Sequence, residues 1–134
     1  MTKEFEELLA KSRMPRLVEF KCHLNHINSL LSFFGHFPNL KELDIGCYGV
    51  KEEVIDDLVG HLNQTKFTTI KFTHLSPPSF LRLSQLSVET LQVFHIQIGE
   101  NWTVGNDQII NFLLDFLPNN ATIADFKLDF VETE

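Results

Sequence analysis

Six histidines and two cysteines carry the most reactive side chains in this sequence. His23 and His26 flank the exit of a predicted strand, and His36 and His61 lie near predicted helix ends. His74 follows a strand, and His95 falls at an outward strand position. No pair has the H-E-x-x-H spacing that sets two imidazoles on one helix face for zinc, and no cysteine pair has zinc-finger spacing. Cys22 and His23 with Cys47 form a metal-ligand set only if neighbouring segments bring them together. A Cys–His nucleophile needs a cleft and a lowered thiol pKa, whereas Cys22 falls at an inward apolar position. Gly46-Cys47-Tyr48-Gly49 follows a strand but lacks the lysine and further glycine of a phosphate-cradling loop. Glu52-Glu53 and Asp56-Asp57 map to the solvated face of an amphipathic helix. These residues set up no catalytic constellation. The expectation is a protein that is not an enzyme, with no cofactor and no metal; a metal-dependent or Cys-based enzyme is the remote alternative.

The bulk composition narrows the partners. The chain has 134 residues, one domain's worth, and 43% of them are hydrophobic, enough for a packed core. The net charge of −7 argues against a nucleic-acid footprint, which needs a basic stripe, and against anionic membrane surfaces. No apolar run reaches the ~18 residues of a membrane span. The acidic, polar start and two cysteines expected as reduced thiols point to the cytoplasm or nucleus. Three N-x-T sequons, at Asn63, Asn101 and Asn120, are expected to be coincidental. Phenylalanine is over-used, with 13 copies against one Tyr and one Trp, and aromatics with no polar handle fill cores.

What positions these residues is a repeated apolar template: apolar, two variable residues, apolar, one variable residue, apolar. Its copies are Leu17-Phe20-Cys22, Leu40-Leu43-Ile45, Phe67-Ile70-Phe72, Leu91-Phe94-Ile96 and Ile123-Phe126-Leu128. Successive first positions lie 23, 27, 24 and 32 residues apart. A strand-plus-helix unit at this spacing cannot bury its own apolar face and must stack on copies of itself. The fold class expected is therefore α/β: a short solenoid with a parallel sheet of about five strands on one face and helices on the other.

A single domain over residues 1–134 is expected. A capping helix occupies residues 1–15, about five strand-helix repeats occupy 16–130, and 131–134 form a frayed tail. Strands are predicted at Leu17–Leu24, Leu40–Ile45, Phe67–Phe72, Leu91–Ile98 and Thr122–Phe130. Helices are predicted from Asn28 or Ser29 to Phe37, from Lys51 to Leu62, from Pro77 onward, and from Asn106 or Asp107 to Leu117. The last buries Ile109, Ile110, Leu113, Leu114 and Leu117 on its apolar face.

Two stretches carry a family resemblance. Leu17-Val18-Glu19-Phe20-Lys21-Cys22-His23-Leu24-Asn25-His26-Ile27 keeps an asparagine after the strand. Leu117-Pro118-Asn119-Asn120-Ala121-Thr122-Ile123-Ala124-Asp125-Phe126-Lys127-Leu128 is similar to a helix-end-to-strand junction. The chain thus resembles a degenerate leucine-rich repeat protein of the ribonuclease-inhibitor-like subclass over about residues 17–130. Tyr48, Leu75 and Gly99 stand where the asparagine would recur. Ile109-Ile110-Asn111-Phe112-Leu113-Leu114 followed by Pro118-Asn119-Asn120 is also similar to an element of the nematode F-box-associated families.

The resemblance implies a concave sheet face that binds a protein. Its outward positions form one column of Glu19, Glu42, Thr69, Val93 and Asp125, and a second of Lys21, Asp44, Lys71, His95 and Lys127. Trp102 is a candidate loop anchor. The function expected is a non-catalytic protein–protein interaction module, in its sharpest form the target-recognition part of an SCF-type ubiquitin-ligase adaptor. The alternative is a structural fragment of a larger repeat protein, a scaffold or sensor, with no autonomous binding.

Overall fold

The computed structural model describes residues 40–99 and 104–130, and the backbone of 19–23. The capping helix, the helix between the first two strands, the tail, Trp102 and the side chain of Cys22 lie outside the described residues. Each template copy corresponds to a strand. They are β1 (Glu19–His23), β2 (Glu42–Gly46), β3 (Thr69–Leu75), β4 (Val93–Ile98) and β5 (Asp125–Phe130). All pair in parallel, in the order β1-β2-β3-β4-β5. Between them lie helices α1 (Glu52–Leu62), α2 (Pro77–Arg82) and α3 (Asn106–Phe116). The class is α/β with a parallel sheet, as the template requires.

Alternation sorts the two faces of the sheet, since successive strand side chains point to opposite sides. Leu43, Ile45, Ile70, Phe72, Phe94 and Ile96 are buried in one core with Ile55, Leu58, Val59 and Leu62 of α1, Phe80 of α2, and Phe112 and Phe116 of α3. The first template positions Leu40, Phe67 and Leu91 are also buried, but they precede their strands. The phenylalanines form a continuous spine. Phe94 meets Phe72 edge-on at 6.1 Å between centroids, lies 5.0 Å from Phe116 and 6.0 Å from Phe126, and Phe80 lies 4.4 Å from Phe112.

Local chemistry starts and ends the elements. Pro77 opens α2, where its missing N–H has no partner to lose, and Ser76 Oγ accepts from Ser79 N–H at 3.4 Å. Glu52 and Glu53 sit in the first turn of α1, favoured there by the helix dipole. The N-cap of α3 is Gly105, one residue before the expected Asn106. Its N–H donates to Gln108 Oε1 at 3.1 Å, so a glutamine reaching back supplies what a capping side chain would have done.

Two asparagines fix the turns. Asn120 is buried. Its Nδ2 donates to Leu86 O at 2.7 Å and Phe116 O at 2.9 Å, and its Oδ1 accepts from Val88 N–H at 3.0 Å. From the other side, Asn63 Nδ2 donates to Gln85 O and its Oδ1 accepts from Ser87 N–H at 2.6 Å. The segment 85–88 is thus clamped between two carboxamides. Threonines add a second set of links. Thr90 Oγ1 donates to Phe67 O at 2.9 Å, and Thr122 Oγ1 to Leu91 O at 2.6 Å, each tying one template copy to the one before it. The sequons at Asn63 and Asn120 therefore contain asparagines that hold the fold together.

Two expectations need correction. The apolar face of α3 is narrower than its periodicity suggests: Phe112 and Phe116 are buried, while Ile110, Leu114 and Leu117 are exposed. No described element stacks beyond α3 to cover them. For the same reason the inward positions of β5, Phe126 and Leu128, are only half-buried. The structure also shows an irregularity: β3 carries an extra residue. Its register with β4 shifts between Phe72 and Leu75, and His74 takes the left-handed φ of 56° that lets the bulge turn.

Asn120→Ala strands buried backbone groups and is expected to cost about 2–3 kcal/mol, against less than about 1.5 kcal/mol for the exposed Asn63→Ala. Chemical denaturation of both variants measures the difference. Phe94→Ala, at the centre of the spine, should cost about 3–5 kcal/mol, and Phe126→Ala clearly less. Equal costs would contradict the half-burial of β5.

Candidate functional site

The face of the sheet opposite the helices is built from the residues between template positions. The strand register aligns the Cα positions of Glu19, Glu42, Thr69, Val93 and Asp125 in one row. Lys21, Asp44, Lys71, His95 and Lys127 form the next. The extra residue in β3 falls after these rows, so it leaves them aligned. Glu42, Asp44, Thr69, Lys71, Val93, His95 and Asp125 are half-buried, as neighbours on a pleated sheet shield each other, and Lys127 is exposed. None of the described helices packs on this face.

The rows differ in charge along their length. Lys71 stands between Asp44 and His95 in the second row, beside Thr69 of the first. A depression of about 240 Å³ opens here, lined by Glu42, Leu43, Asp44, Thr69 and Lys71. One contact links the rows diagonally: His95 Nε2 lies 3.2 Å from Asp125 Oδ2, an ion pair when the imidazole is protonated. A face of this kind offers acceptors, donors and charges of both signs over a firm backbone. It suits recognition of a polar surface.

The other chemistry-bearing residues are dispersed. Among the described residues no group of three or more His, Cys, Asp or Glu could hold a metal ion. The Cys47 thiol is buried and points toward Ile45 O at 3.8 Å. Gly46-Cys47-Tyr48-Gly49 is a turn rather than a phosphate loop. Val50 N–H closes it on Cys47 O, and Gly49 takes a φ of 72° that suits glycine. Glu52 and Asp56 lie on the outer side of α1 and pair with Arg82 at 3.2 and 3.6 Å. His61 is exposed at the end of α1, its Nδ1 2.9 Å from Asp57 O.

Residue spacing alone did not bring out Tyr48 and His74. They stand at the exits of β2 and β3, both exposed, with rings edge-on at 6.4 Å. Backbone bonds, Cys47 N–H to Thr73 O and Gly99 N–H to Leu75 O at 2.8 Å each, join the strand exits, where the asparagine of position 25 does not recur.

No protein-family model matches this sequence, and no curated protein matches it. Five chains of known structure do. One of them, described as Leiomodin-1 Actin-Binding Site 2 (ABS2), is 16% identical to this chain. The match covers 100% of this chain and 83% of that one, with a TM-score of 0.59. At that identity the likeness is one of fold. Among the described residues no helix is long and apolar enough to cross a membrane.

The His95–Asp125 pair is partly solvated, and such pairs contribute little. His95→Ala and Asp125→Asn are each expected to change unfolding free energy by less than about 1 kcal/mol. Thermal or denaturant unfolding checks this; a larger loss would make the pair part of the framework.

Proposed function

We propose that this chain is a non-catalytic protein-interaction module that holds a protein partner on the open face of its sheet. The observation that carries this is the alignment of the two mixed-charge rows on a face that the described helices leave uncovered. Side chains on such a face are set in position by strands, so they meet a partner with little ordering cost. The similarly folded structure described as an actin-binding site lends support to a protein-binding use of the fold.

The finer reading is a degenerate leucine-rich repeat protein. The template copies, one strand each, and the helices between them support it. Within that class we favour the target-recognition part of an SCF-type ubiquitin-ligase adaptor, acting in the cytoplasm or nucleus, with no enzymatic activity of its own. The net charge of −7 favours a protein over nucleic acid as the partner.

Lys71→Glu combined with His95→Glu tests the face. Like-charge juxtaposition in an interface costs several kcal/mol, so partner capture should fall at least about tenfold. Circular dichroism and the unfolding midpoint should stay close to wild type. Affinity capture from cell extract, quantified by mass spectrometry, is the readout. Undiminished capture by a folded double variant would remove the open face as the binding surface.

A further inference from the structure

One apolar region serves neither the core nor the open face. Ile110, Leu114 and Leu117 are 54%, 67% and 43% exposed, and Phe130 at the end of β5 is 41% exposed. They join the half-buried Ile123 and Leu128 along one end of the molecule. The direction this region faces follows from a comparison of two helices. α1 and α3 are both 11 residues long. Counted from their first residues, Ile110, Leu114 and Leu117 stand where α1 has Asp56, Gly60 and Asn63. In α1 this stripe faces the next unit, with Asp56 against Arg82 and Asn63 against Gln85 and Ser87. In α3 the same stripe is apolar and faces outward past β5. The outer edge of β5 pairs with no described strand, and an edge of this kind is a template for another strand.

We propose that this end is an interface between two copies of the chain, joined by antiparallel pairing of β5 with β5 of the second copy. The strand is self-complementary. Asp125-Phe126-Lys127-Leu128-Asp129-Phe130 alternates charged residues on the open face with apolar residues on the helix side. With Leu128 on a two-fold axis normal to the sheet, Lys127 of each copy faces Asp129 of the other, and Phe126 faces Phe130. Moving the axis to Lys127 would set like charges opposite each other. The same two-fold keeps both helix layers on one side and lays the two α3 stripes toward each other, so Leu114 approaches its counterpart. The arrangement joins the two sheets into one and removes the exposed edge. Its charge pairs lie on the last strand of the open face, but it does not rest on the binding role proposed above.

The test is sedimentation of the full chain over a dilution series, followed by charge exchange. Wild type should show twice the monomer mass at high concentration and dissociate on dilution. Lys127→Asp and Asp129→Lys should each be monomeric alone, since each sets like charges opposite each other. An equimolar mixture of the two should regain the dimer, because the exchanged charges match again. A wild type that stays monomeric at its highest soluble concentration would overturn the proposal. Dimers that survive both single variants, or a mixture that fails to associate, would overturn it too. If either charge variant fails to fold, Leu114→Glu on the exposed helix surface decides. A folded monomer supports the interface, and an unchanged dimer contradicts it.

Discussion

In-register parallel pairing governs the rest of this molecule. Side chains alternate along a strand, so a slip of one residue would turn Phe94 and Ile96 out to water and drive Lys71 and His95 into the core. The register is held from both layers. On the sheet, Thr90 and Thr122 tie the fourth and fifth template copies to a carbonyl of the copy before each. On the helix side, Asn63 and Asn120 clamp segment 85–88 between the units that flank it. Asn120 carries the greater share because it is buried. Its carboxamide satisfies backbone groups that water cannot reach.

The open face inherits its order from that register. Strands held in step by their inward residues necessarily place their outward residues in rows. The core side can therefore stay close to one apolar pattern, while the open side is free to vary in charge from strand to strand. Asp44, Lys71 and Lys127 occupy one row and differ in sign, while the inward residues beside them stay apolar. The core of such a fold and its surface charge are carried by different residues on the same strands.

Much of this was legible in the residues. The template located β2 to β5 within two or three residues, because a spacing of three then two is set by steric alternation and burial. It also placed Glu42, Asp44, Thr69, Lys71, Val93, His95, Asp125 and Lys127 in their rows. Helical periodicity found α1 and α3. What stayed hidden depends on neighbours distant in sequence. Periodicity assigns Ile110 and Leu114 to a buried face but cannot say that no described unit stacks beyond α3. The bulge at His74 is defined by how β3 pairs with β4, which a local pattern does not report. The roles of Asn63 and Asn120 were masked because they occur in sequons and at the opposite end of the unit from the asparagine sought. The capping helix and Trp102 fall outside the described residues.

The central claim is that a partner engages the open face of the sheet and not the helix layer. A photo-activated cross-linker placed at Lys71, and separately at the exposed Asp57 of α1, tests this whatever the partner's identity. The account predicts a specific adduct from Lys71 and none from Asp57. Adducts from Asp57 alone would contradict it and move the binding surface to the helices.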